Sequence, residues 1–256
     1  MASIRLGIVG KGGVGKTTVA GMLARAYVQR GRRVVAIDTD SNPNLGLSLG
    51  LTLAETEDVP VLPRSVIVGS GGSTTTARLV AEYGRPTPSG PTLLSAIRVA
   101  EAGAGCTCGG HATVRGMLAD ALADVDVVLV DMEAGLEHLS RSSGTLAYAD
   151  VLLVVCEPTR KSVLTATRTA ALAAELGIPA TLAVGNKAQS AEDEAFFAAA
   201  FNRDGLRLAA VLPHDDQVAR ADRAGTVLGS AIPDALADPI AAILDAVEVS
   251  RNAAVR

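Results

Sequence analysis

Residues 10–17, Gly10-Lys11-Gly12-Gly13-Val14-Gly15-Lys16-Thr17, fit the phosphate-loop pattern GxxxxGK[ST]. Glycines let the backbone curl so that several N–H groups face one anion. Lys16 adds a point charge for the outer phosphates of a nucleotide, and the Thr17 hydroxyl can ligand Mg²⁺. Gly12, Gly13, Val14, Gly15, Lys16, Thr17 and Thr18 are therefore expected to wrap phosphates at the N-terminus of a helix. The flanks suit that role. An apolar run (Ile4, Leu6, Ile8, Val9) precedes the loop and a helical pattern follows it. A plain glycine-rich turn would leave Lys16-Thr17 at the head of a helix unexplained.

A second motif lies downstream. The apolar strand Val127–Val130 runs into Asp131-Met132-Glu133-Ala134-Gly135. An apolar strand ending in Asp, paired with a phosphate loop, is a Walker B pattern. Asp131 is expected to hold Mg²⁺ through water, and the Gly135 backbone N–H to sense the γ-phosphate. The third motif is Cys106-Thr107-Cys108. One such pair is a half-filled metal site. Two copies on a two-fold axis would supply four thiolates, a donor set that suits Zn²⁺ or Ni²⁺. By themselves the two cysteines read equally well as ordinary thiols. Cys156 ends an unbroken apolar strand and is expected in the core.

These residues need a scaffold, and 256 residues suffice for a single α/β domain. Strands are predicted at 4–9, 33–37, 127–130, 151–155, 180–185 and 207–212, and helices at 16–30, 113–124, 161–176, 189–202, 216–224 and 234–249. Near-continuous apolar strands alternating with helices predict a doubly wound, mostly parallel sheet covered on both faces. Aromatic content is only 2% and Trp is absent, so Ala, Val, Leu and Ile must fill the core. The interval 52–112 breaks the rhythm. Within it the Gly-, Ser- and Pro-rich stretch 69–91 reads as a mobile insertion, and 93–102 as helix-prone.

Composition also excludes. A net charge of −4 gives no global basic field for nucleic acid. No apolar run approaches the roughly eighteen residues of a membrane span. No signal-peptide pattern opens the chain, and three cysteines suit a reducing, cytoplasmic setting. The basic residues are lopsided, with 19 Arg against 4 Lys. Lys11 and Lys16 in the loop, and Lys187 after Asn186, are retained lysines, which suggests that a compact ammonium is required there.

The loop with lysine after its first glycine, KGGVGKT, resembles the deviant phosphate loop of the MinD, ParA, nitrogenase iron protein and arsenite-pump ATPases. The resemblance implies a P-loop fold, ATP and ADP as ligands, and a nucleotide-linked homodimer in which Lys11 reaches the partner's nucleotide. It assigns catalysis to Lys11, Lys16 and Asp40. In Asp38-Thr39-Asp40-Ser41-Asn42, Asp40 would orient the attacking water, and Asp38 would support the magnesium shell or the loop. Both aspartates also read as cap or Asx-turn residues for 43–49. Asn186 would bond the adenine edge with the Lys187 stem beside the base. Pro213 and Asp215, in Val211-Leu212-Pro213-His214-Asp215, would form the second base-side loop, though Asp215 reads equally as a turn residue.

The run Glu101–Cys108 and the segment Asp131-Met132-Glu133-Ala134-Gly135-Leu136-Glu137-His138-Leu139 resemble the CooC-type nickel-insertion ATPases of carbon monoxide dehydrogenase maturation. That resemblance covers nearly the whole chain. It implies an ATP-driven metallochaperone with Ni²⁺ or Zn²⁺ on Cys106 and Cys108 and a client metalloenzyme. Ser140 and Ser142 depart from the glycines expected there. The rival readings are a MinD- or ParA-like positioning or segregation switch without metal, and an ATPase sharing an iron–sulfur cluster. A membrane-binding switch would use a basic C-terminal helix, whereas 234–249 carries Asp234, Asp238, Asp245 and Glu248 and no Lys or Arg.

Overall fold

The computed structural model describes the chain apart from residues 1, 2, 64, 65, 67, 69–71, 73, 99–107, 121–123, 136–138, 140–143, 227–230, 255 and 256. The strands are β1 (Ile4–Gly10), β2 (Val34–Asp38), β3 (Arg85–Pro86), β4 (Thr92–Ser95), β5 (Val127–Asp131), β6 (Val151–Cys156), β7 (Ala180–Ala188) and β8 (Arg207–Pro213). The helices are α1 (Lys16–Gln29), α2 (Leu45–Ser48), α3 (Leu53–Glu57), α4 (Thr76–Tyr83), α5 (Cys108–Ala119), α6 (Arg160–Glu175), α7 (Ala191–Asp204), α8 (Asp216–Ala224) and α9 (Asp234–Ala254).

All eight strands form one sheet in the order β3-β4-β2-β5-β1-β6-β7-β8. Every pairing is parallel except β3 with β4 at one edge. That edge strand is two residues long and holds Pro86, a residue an edge tolerates because it has no N–H to give. Alternation along the strands divides the core into two layers. Leu6, Ile8, Val127 and Leu129 pack with α1 and α9 on one face. Val128, Val130, Leu152 and Val154 pack with α5, α6 and α7 on the other. Burial on both faces explains why these strands read as unbroken apolar runs.

The six predicted strands and six predicted helices are present, with shifted ends. β2 extends to Asp38, so that carboxylate belongs to the strand. α5 begins five residues before the expected start, which puts Cys108 at its head. The helix-prone reading of 93–102 is overturned over its first part, because Thr92–Ser95 is a strand paired with Val35–Asp38 of β2. Of the stretch read as a mobile insertion, Thr76–Tyr83 is helical, with the Thr75 hydroxyl accepting from the Arg78 N–H as its cap. Among the described residues no helix is long and apolar enough to cross a membrane.

Candidate functional site

The carboxyl ends of the central strands converge on a cleft of about 970 Å³. It is lined by Gly12, Gly13, Gly15, Lys16, Thr17 and Thr18 on one side, by Asp40 and Asn44 below, and by Asn186, Lys187, Gln189, Pro213, His214 and Asp215 on the other. Ligands of open α/β sheets collect at such strand ends.

The phosphate loop joins β1 to α1. Gly13 (φ 81°) and Gly15 (φ 91°) bracket Val14 in left-handed backbone, which lets successive amides point one way. At Gly15 space is short as well, since a Cβ would lie 2.5 Å from Nδ2 of Asn186. Lys16 is buried under the loop and its ammonium donates to the Lys11 carbonyl at 3.3 Å. Burial lowers its pKa, and the charges of Asp131, Asp40 and Glu133 act against that. Lys11 is exposed at the loop's outer rim.

Two carboxylates face the loop from adjacent strands. Asp38 and Asp131 are register partners at the ends of β2 and β5, and both are 1% exposed. The oxygens of Asp38 accept from the Asp40 N–H at 3.0 Å and the Leu45 N–H at 2.9 Å, so this side chain holds the loop that carries Asp40. Burial raises its pKa to about 6 against those bonds. Asp131 accepts from the Thr17 hydroxyl, while its Oδ1 is buried without a hydrogen-bond partner. Burial and the neighbouring Asp38 push Asp131 up to about 8. A hydrated Mg²⁺ fits this place, since an orphan buried carboxylate oxygen next to a threonine hydroxyl is the donor set a hard cation takes. Asp40 is partly buried, and its Oδ1 accepts from the Asn42 N–H at 2.9 Å in an Asx turn. Ser41 donates to Glu133 at 3.0 Å and so joins the β2 and β5 loops.

Asp215 caps α8, with Oδ1 accepting from the Gln217 and Val218 N–H groups at 2.8 and 3.0 Å. The turn reading of this residue therefore holds, and it also lines the cleft. Of the cysteine pair, Cys106 lies outside the described residues, as does His138; Cys108 opens α5, with nothing described of its side chain. Among the described residues no group of three His, Cys, Asp or Glu side chains could hold a metal. Cys156 is core, 1% exposed, and burial pushes its thiol up to about 12.

The CobQ/CobB/MinD/ParA nucleotide binding domain family matches residues 8–228. The chain belongs to this family. It is 36% identical over 237 residues to the carbon monoxide dehydrogenase accessory protein CooC of Rhodospirillum rubrum, with 87% of this chain and 88% of that protein covered. An uncharacterised ATP-binding protein of Methanocaldococcus jannaschii is 33% identical over 239 residues, covering 87% and 90%. The septum site-determining protein MinD of Pyrococcus horikoshii, solved with Mg-ADP, superposes with a TM-score of 0.71 at 20% identity, over 97% of this chain and 96% of that one. This is the fold of a P-loop ATPase, and the chain is a CooC-like member of its family.

Several parts of the site escaped the sequence reading. Gln189 lines the cleft beside Asn186 and Lys187. The Asn186 side chain donates to the Val14 carbonyl at 2.7 Å, and Lys187 to the Gly13 carbonyl at 2.7 Å. The retained lysine at 187 was the available signal, but its partner lies 174 residues away.

Proposed function

We propose that this ATPase is a metallochaperone of the CooC kind, which couples ATP hydrolysis to holding and releasing Ni²⁺ or Zn²⁺ for a client metalloenzyme such as carbon monoxide dehydrogenase. The observation that carries the reading is the near full-length likeness to the accessory protein CooC in a chain whose sequence holds Cys106-Thr107-Cys108. The reading assumes a cytoplasmic protein.

The residues divide the hydrolytic work as follows. The N–H groups of Gly12 to Thr18 and the Lys16 ammonium receive the phosphates. Mg²⁺, held by Thr17 and Asp131, would offset phosphate charge. Asp38 keeps Asp40 at the cleft floor by bonding its backbone, and Asp40 orients the attacking water. Asn186, whose amide nitrogen is given to Val14, would offer its oxygen to the exocyclic amine of adenine. Pro213 and Asp215, which line the cleft, would close the far side of the base. Lys11 is exposed and would reach a nucleotide on a second copy.

In the dimer that ATP closes, two CxC pairs would meet and complete a four-thiolate site for the transferred metal. Transfer requires that open and closed dimers differ in metal affinity, because equal affinity would move nothing. The test is metal stoichiometry against oligomer mass. Reduced protein, with and without ATP, is loaded with Ni²⁺ or Zn²⁺ and sized by light scattering with elemental analysis. One metal per two chains in a dimer supports the reading. An ATP-dependent dimer without metal would leave a nucleotide switch of the MinD or ParA type.

A further inference from the structure

We infer that Asn186 and Lys187 are positioning residues for the phosphate loop, a latch that aims its amides at the anion. The inference rests on the nucleotide-site reading above and goes beyond it, since residues expected beside the base would set how tightly phosphates are held.

In a trans peptide the C=O of one residue and the N–H of the next point in opposite directions. Lys187 Nζ takes the Gly13 carbonyl at 2.7 Å, and Asn186 Nδ2 takes the Val14 carbonyl at 2.7 Å. The two bonds therefore fix two consecutive peptide planes. The Val14 and Gly15 N–H groups belong to those planes and must turn away from the 186–187 side. With Gly13 and Gly15 in left-handed backbone, a loop of this kind has many other conformations to visit. Two tethers from the end of β7 remove that freedom before an anion arrives.

The local geometry around the latch supports the same reading. Lys187 is the positive-φ residue other than glycine among those described, at φ 63°. A long side chain held there carries a backbone cost, which the surroundings must offset. That backbone turn lies within β7 where the β7–β8 register shifts, between Gly185 and Ala188. Asn186 is 9% exposed and sits tightly enough that only glycine fits at position 15. A side chain that served the base alone would require neither the turn nor this contact.

The test uses the full-length chain with inorganic tripolyphosphate, which has no base, as the probe. Its displacement of a fluorescent ADP is measured for wild type, Asn186→Leu and Lys187→Met, beside direct titrations of ATP and GTP. Asn186→Leu removes a donor without changing charge. Lys187→Met alters an exposed side chain, so folding is not at risk. Each variant should bind tripolyphosphate roughly tenfold more weakly, the worth of a lost hydrogen bond in such a site, and Asn186→Leu should also lose preference for ATP over GTP, because the amide oxygen offered to adenine goes with the donor. The Lys187→Met loss should persist in about 1 M salt, where charges beyond roughly 3 Å are screened.

Tripolyphosphate affinity that stays at the wild-type level in both variants would overturn the latch. So would a Lys187→Met loss that vanishes in high salt, or wild-type protein that binds ADP and ignores tripolyphosphate. Wild-type protein that binds no nucleotide at all would instead overturn the site reading on which the inference stands.

Discussion

Asp131→Asn should stabilise the ligand-free protein at neutral and alkaline pH, although it removes a carboxylate proposed to hold Mg²⁺. Asp131 is 1% exposed, abuts Asp38, and has its pKa raised from 3.8 to about 8. A carboxyl raised in the folded state costs stability once the unfolded chain ionises. The cost begins near pH 4, grows through the window up to about pH 8, and is complete above it. Roughly four pK units at 1.36 kcal/mol each set a ceiling of about 5 kcal/mol. Part of that belongs to the charge of Asp38, and the amide must replace the Thr17 bond, so a net gain of about 2 kcal/mol is expected. In a chain of this size that is on the order of 5 °C in Tm. The assay is thermal melting in chelator from about pH 5 to about pH 9. Wild type should lose Tm as pH rises, and the variant should lose less and overtake it. Mg-ADP should then stabilise wild type more than the variant, reversing the order. A variant that melts below wild type at about pH 8.5, or that shows the same pH slope, would refute the buried-charge account.

Other perturbations separate the parts of the site. Lys16→Ala should abolish nucleotide-dependent stabilisation, because the remaining carboxylates of Asp131, Asp40 and Glu133 would then repel the phosphates; melting with ADP checks it. Gly15→Ala places a methyl 2.5 Å from Asn186 Nδ2 at φ 91°, so ADP affinity should fall at least tenfold, as titration calorimetry would show. Lys11→Ala should keep ATP affinity and lose turnover, and a phosphate-release rate equal to wild type would remove the trans-acting role. Cys106→Ser with Cys108→Ser should keep nucleotide binding and lose the shared metal, read by elemental analysis of the sized dimer.

The legible parts of this chain were those whose cause is local. The phosphate loop, α1 behind it and the apolar strands β1, β5 and β6 follow from residue types within a dozen positions. Leu93-Leu94-Ser95 did not, because a short apolar run suits a helix or a strand equally. What decides it is pairing with Val35–Asp38, nearly sixty residues away. Thr76–Tyr83 was hidden by the glycines and serines before it, although Thr75 in the cap position was a usable signal. At the site, Asp131 was legible as a strand-end carboxylate and Asp40 as a carboxylate of the loop that follows β2. The sequence could not show that Asp38 spends both oxygens on backbone N–H groups, since Asp38 and Asp40 look alike until the chain turns.

The ligand-free site is therefore a set of opposed costs. One lysine lies buried beside two aspartates that cannot both ionise cheaply, and a glycine loop is tethered in backbone that few residues adopt. Such an arrangement is poor for stability and good for binding, since a magnesium nucleotide brings positive charge to the aspartates and negative charge to the lysine and the amides together. Stabilisation by ligand then grows as the logarithm of its concentration over Kd. The same arithmetic bears on metal transfer. Closure driven by ATP can change metal affinity only by the free energy that the nucleotide spends differently on open and closed dimers. On the function proposed above, Asp40, whose loop Asp38 holds, and the exposed Lys11 would register that difference. A variant that binds ATP as tightly as wild type but cannot close should hold metal with the open-state affinity whether or not ATP is present. Under the proposed function Lys11→Ala should be that variant, and an ATP-dependent change in its Ni²⁺ affinity as large as wild type's would break the link between closure and the thiolates.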